Sequence, residues 1–209
     1  MTNLIPNSNE ATPREYLSWS QMELFERSPK MYTEVYLYGL RIVATKYMIK
    51  GTEMDKALED PKIREEIESD LDNNMAQALV FMPNYPEKQK KVWATWEGIP
   101  MYGKFDGYDS VTNTIGEVKT GTYWSKNKAQ DHGQLKFYAV MMWLNTGEIP
   151  NIKLHWAETY VKEDGEIDYT GKVKTFDVVL TVQDLVKFYS RVRDAWEGIK
   201  KLTRKEFNI

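Results

Sequence analysis

The chain reads as an α/β (more loosely α+β) protein, with a mixed central sheet flanked by helices and an N-terminal helical cap. Three features point there. Helical periodicity fills 17–82, apolar–polar alternation takes over at 90–121 and returns at 151–180, and helical stretches at 125–145 and 182–203 follow the two strand groups. Segment 1–16, with Pro6, Asn7, Asn9 and Pro13, reads as an irregular leader. Residues 17–209 form a single domain, with 17–82 as helical cap and 83–209 as sheet core and flanking helices. At 209 residues with 42% hydrophobic and 13% aromatic content, the chain can bury a core, which excludes a disordered protein.

Taken in order, 17–40 predicts a helical hairpin. Ser20 and Glu23 have capping-box spacing, Met22, Leu24 and Phe25 form an apolar side, and Pro29 restarts a second helix over 30–38 that stops at Gly39. A helix over 46–59 turns Met48, Met54, Ala57 and Leu58 toward a core. Pro61 opens an acidic helix to about 72, and 71–82 continues helical until Pro83. Segment 90–98 alternates Val92, Ala94 and Trp96 against Trp93, Thr95 and Glu97, a strand with aromatics on both faces. In 102–108, Tyr102, Lys104, Asp106 and Tyr108 share one face, and the polar stretch 109–113 turns the chain back. One buried helix covers 125–145, with Leu135, Ala139 and Met142 on its stripe. Strands 151–163 and 172–180 flank the turn Asp164-Gly165, and Thr181 caps a last helix over 182–203.

Composition removes several classes of chemistry. There is no cysteine, hence no disulfide, thiolate zinc site or cysteine-ligated iron–sulfur cluster. No apolar run reaches membrane-span length and the first dozen residues are too polar for a secretory signal, so a cytoplasmic address is expected. No phosphate-cradling Gly-rich loop, G-x-S-x-G or Cys–His pair occurs, which excludes P-loop and serine or cysteine hydrolase chemistry. The net charge of −3 rules out a generic nucleic-acid coat but leaves room for a localised groove.

The stretch 103–119 carries the chemistry. Glu117 and Lys119 share a face of the return strand, which a hairpin can set beside the face bearing Asp106. Two carboxylates and an ammonium then converge. Oxygen ligands suit Mg²⁺ or Mn²⁺, which lowers the pKa of a bound water, while the ammonium orients that water and offsets phosphate charge. The same residues would also serve as an ordinary surface hairpin with a Glu–Lys pair. Further along, Gln134 and Tyr138 lie one helical turn apart, and Lys126, Lys128 and Lys136 flank them near a helix start that favours phosphate.

In order along the chain, these motifs resemble the RecB-like branch of the PD-(D/E)XK nuclease superfamily, over about 17–138. The parts are the Ser-rich start 17–20 leading to Pro29 and Tyr32, Gly51 with Asp55, the G-x-x-D of 103–106, Glu117-Val118-Lys119-Thr120-Gly121, and Gln134 with Tyr138. The resemblance implies a restriction-endonuclease-like core and a metal-dependent deoxyribonuclease, an exonuclease of phage or bacterial recombination or repair. In it Asp55, Asp106, Glu117 and the Val118 carbonyl hold Mg²⁺ or Mn²⁺, and Asp106, Glu117 and Lys119 are catalytic. Gln134, Tyr138, Lys126, Lys128 and Lys136 face the DNA. Two departures stand out: Asp55 replaces the histidine of many relatives, leaving Glu53 as an alternative ligand, and Ser28 stands where cluster-bearing relatives have cysteine, implying a cluster-free form. DNA is the implied partner; a homo-oligomer or a recombination partner protein is compatible and not demanded. A structure- or sequence-specific endonuclease, and a binding module without turnover, stay open as alternatives.

Overall fold

In the computed structural model, which describes residues 4–6, 14–70 and 72–207, a six-stranded mixed sheet lies between two groups of helices. Before the sheet come β1 (Leu4–Pro6), β2 (Leu17–Ser18), α1 (Trp19–Arg27) and α2 (Pro29–Tyr32), which runs on as a π-helical turn (Thr33–Leu37). Then follow β3 (Leu40–Ile42), α3 (Lys46–Glu59), α4 (Pro61–Glu68) and α5 (Asn74–Phe81). The remainder is β4 (Glu87–Trp96), β5 (Ile99–Asp109), β6 (Thr114–Gly121), α6 (Lys126–Gln130), α7 (Gly133–Thr146), β7 (Asn151–Val161), β8 (Ile167–Val178) and α8 (Val182–Phe207).

The sheet runs β2-β5-β6-β7-β8, with β4 also on β5. β4–β5, β5–β6 and β7–β8 are antiparallel, whereas β6 and β7 are parallel because α6 and α7 carry the chain back across the sheet. Tight turns follow local chemistry. Glu97 and Gly98 both take positive φ (48° and 79°) between β4 and β5, and Asp109 accepts the Val111 amide at 2.9 Å between β5 and β6.

Two apolar layers hold the sheet. α7, α1 and α8 pack on one face through Phe105, Ile115, Leu135, Phe137, Met141, Leu154 and Val192. Met54 and Ala57 of α3 and Met75, Ala78 and Leu79 of α5 pack on the other, against Ala157 and Tyr169. Tyr85 lies flat across Gly107 and Gly116, where a Cβ at either position would overlap its ring. That is why two glycines flank the candidate site.

Several expectations need correction. Part of the leader is a strand, β1, paired antiparallel with β3; the rest, 7–13, lies outside the described residues. The capping box at Ser20 does not form. Ser18 is the N-cap residue without a side-chain cap bond, and it instead meets Ser20 Oγ at 3.1 Å and Gln21. Met48 is exposed, since it lies on the side of α3 away from the sheet. The helix expected over 125–145 is two, interrupted at Asp131 and His132, where His132 takes extended backbone (φ −65°, ψ 114°), and Trp19 packs against Gly133 at the start of the second. Tyr108 does not share the open face of Asp106; it is buried against the core, so the alternation of β5 breaks after Asp106.

Candidate active site

β5 has two edges, and one is taken along its length by β4, from Ile99 to Tyr108. The other edge is shared: β6 pairs with it at Gly107–Asp109 and β2 at Met101–Tyr102. Between those pairings the edge around 103–106 has no strand partner, and side chains take over the backbone groups. Tyr138 Oη donates to the Lys104 carbonyl at 2.8 Å, and Asp106 Oδ2 accepts the Val118 amide at 2.9 Å. The notch so formed opens into a cleft of about 360 Å³.

Asp55, Asp106, Glu117, Val118, Lys119, Gln134 and Tyr138 all border that cleft. α3 brings Asp55, β5 brings Asp106, β6 brings Glu117 and Lys119, and α7 brings the Gln134–Tyr138 pair, whose side chains are joined at 2.8 Å. Glu53 points elsewhere and pairs with Lys50 at 2.7 Å, so of the two ligand candidates Asp55 is the one that α3 turns toward the cleft. Lys126, Lys128 and Lys136 do not line it. Lys126 is exposed, Lys128 lies over the Trp124 ring at 4.3 Å, and Lys136 pairs with Asp131 at 3.6 Å.

The electrostatics are those of crowded acids around one cation. Glu117 is 1% exposed, and burial pushes its pKa up to about 8 against the pull of Lys119. Its Oε1 accepts from Lys119 Nζ at 2.6 Å, while its Oε2 is buried with no hydrogen-bond partner. Burial and then the Asp106 charge raise Asp55 to about 6. For Lys119 burial pulls down, but Glu117, Asp106 and Asp55 outweigh it and hold the ammonium above its ordinary value. Among the described residues no three acids or histidines are drawn into a closed ligand cluster. Asp106 instead raises the pKa of both Asp55 and Glu117, and Asp55 raises that of Glu117, as like charges do.

The sequence reading missed Gln89, Arg14, Trp19 and Glu59, which also border the cleft. Gln89 has φ 50° and donates to Asp106 Oδ1 at 3.5 Å. Nothing in local sequence marks a glutamine for left-handed backbone, although its place opposite Asp106 follows from the strand register.

No protein-family model and no curated protein sequence matches the chain. Its likeness is one of fold. A crystal structure from Eubacterium rectale, provisionally described as an exonuclease, superposes with a TM-score of 0.56 at 14% identity, over 91% of this chain and 80% of that one. A phage-related exonuclease from Haemophilus somnus 129PT superposes with a TM-score of 0.50 at 14% identity, over 88% and 83%. The fold is therefore the mixed α/β fold of these nuclease structures.

Proposed function

We propose that the chain is a Mg²⁺- or Mn²⁺-dependent DNA exonuclease of the RecB-like PD-(D/E)XK type, acting in phage or bacterial recombination or repair. One observation carries this reading: Asp55, Asp106, Glu117 and Lys119, from one helix and two strands, meet at a single cleft in a fold that exonuclease structures share. The donor set suits a hard divalent cation. Glu117 has a buried oxygen without a partner and a carboxyl that burial holds partly protonated, both of which a cation would relieve. Asp55, Asp106, Glu117 and the Val118 carbonyl would hold it. A cation there would supply a water acidified enough to attack a phosphodiester at neutral pH.

The chain's own residues do the rest. Lys119, fixed by Glu117, presents an ammonium that orients the attacking water and offsets charge on the phosphate. Tyr138 holds β5 open at Lys104, and Gln134 fixes the phenol, so the two keep the notch in shape for a DNA backbone. Burial keeps the Tyr138 phenol protonated, and it acts as a donor.

The test is digestion of linear and covalently closed circular DNA with Mg²⁺, with Mn²⁺ and with chelator. Linear DNA should shorten from its ends only with metal, and circles should survive. Cut circles would replace the exonuclease by an endonuclease of the same fold; intact linear DNA with both metals would leave a binding module.

A further inference from the structure

The face of β5 that bears Asp106 continues past the cleft. Lys104 and Tyr102 stand two and four residues before Asp106 and border the same cleft, while the alternate residues Met101, Gly103 and Phe105 are buried. Directly across on β4 lie Trp93, opposite Tyr102, and Lys91, opposite Lys104. Leaving Asp106, a ligand first meets two exposed lysines. Lys104 has only a 4.0 Å approach to Glu59, and Lys91 makes no ion pair among the described residues. Next come three rings in mutual contact. Trp93 and Tyr102 are 4.8 Å apart between centroids, Tyr16 lies 5.1 Å from Trp93 and 5.3 Å from Tyr102, and Arg14 covers the Tyr16 ring at 5.6 Å.

A cluster like this is commonly just the rim of a core. Here Trp93 is 56% exposed, whereas the strand's other tryptophan, Trp96, packs on the core against Trp143 and Tyr189, so one of the two largest side chains of the strand is left in water. Its surroundings are basic, and it is continuous with the cleft through Tyr102. Two residues of strand span about 6.8 Å, close to the reach of one extended nucleotide. The order of acids, lysines and rings along β5 thus matches that of a scissile phosphate, a neighbouring phosphate and a base. Only an unpaired base offers a free face to a ring, since a duplex keeps its base faces stacked inside.

We infer that this strip holds one unpaired strand of DNA beside the reacting phosphate. Lys91 and Lys104 take the adjacent phosphate, and Trp93 with Tyr102 stacks the base beyond it. The inference rests on the nuclease reading and names the form in which that site takes its substrate.

The test separates the two. Binding of a short labelled thymidine oligonucleotide, and of a blunt duplex of equal length, is measured in chelator for the wild type, Trp93→Ala and Trp93→Phe. Hydrolysis of bis(p-nitrophenyl) phosphate with Mn²⁺ is followed in parallel, because that small diester does not reach the strip. Trp93→Ala should weaken single-strand binding about 10-fold and Trp93→Phe should keep most of it, with aryl diester hydrolysis unchanged in both. Equal single-strand affinity in the wild type and Trp93→Ala, or a wild type that binds the duplex alone, overturns the strip. Trp93-dependent binding without any hydrolysis supports the strip and retires the catalytic reading instead.

Discussion

Glu117 and Lys119 define each other. A carboxyl that is 1% exposed cannot carry its charge unaided, and the ammonium 2.6 Å away is its only hydrogen-bond partner among the described residues. In return, the surrounding acids keep the ammonium charged in a place where burial alone would pull it toward neutrality. That reciprocity decides what removing the lysine should do. Lys119→Ala is expected to cut kcat for DNA hydrolysis about 100-fold or more, with KM and metal-free DNA binding unchanged. Steady-state kinetics with Mn²⁺ check it, and a variant with ordinary turnover would take Lys119 out of the chemistry. Asp106, Glu117 and Lys119 were legible from spacing, because period-two geometry places them without tertiary information. Choosing Asp55 over Glu53 needed the orientation of α3, and Gln89 needed the fact that β5 loses its neighbour at Asp106.

Elements differ in how far the chain announces them. α3 spans Lys46–Glu59 as periodicity predicts, and the Asp164-Gly165 turn closes β7 and β8, with Lys162 donating to the Glu166 carbonyl at 2.8 Å. β2 has two residues and β3 three, too few for any pattern to show, yet β2 creates the notch by occupying the far part of the β5 edge. The split before α7 falls at Asp131 and His132, neither of them a proline or glycine that would announce the turn of His132 to extended backbone. His155 illustrates a residue whose role lies between elements. Its ring joins Tyr85 Oη at 2.8 Å to Thr175 Oγ1 at 2.9 Å, tying the segment before β4 to β7 and β8. Burial, then Lys153, lowers its pKa from 6.5 to about 4. A depressed pKa means stability present above 6.5 and lost as pH falls through 4. Urea unfolding at about pH 7 and about pH 4 should therefore show a loss up to about 3 kcal/mol larger in the wild type than in His155→Phe. Equal losses in the two proteins would mean that His155 is not the group that acid attacks.

The molecule as a whole is acidic, with a net charge of −3, and its charges are segregated. Segment 52–72 holds nine acids against three bases, whereas 181–209 holds seven bases against four acids. Much of that basic charge is already committed: Arg191 pairs with Glu26 at 2.6 Å and Lys200 with Glu197 at 2.7 Å. No described helix is long and apolar enough to cross a membrane. Binding by such a protein must come from few contacts rather than from a broad field. Arg14, Lys91 and Lys104 are the cations beside the cleft and its strip that have the least competition from acids. Two phosphates neutralised on a single strand, one by the lysine pair and one by Arg14, give a slope of log K against log salt near −1.4, and thus about a 7-fold loss of affinity between about 50 and 200 mM salt. Titrating the thymidine oligonucleotide over that range measures the slope directly. A slope steeper than about −4 would bring the lysines of α6, α7 and α8 back into the interface and make the contact area much wider than β4 and β5.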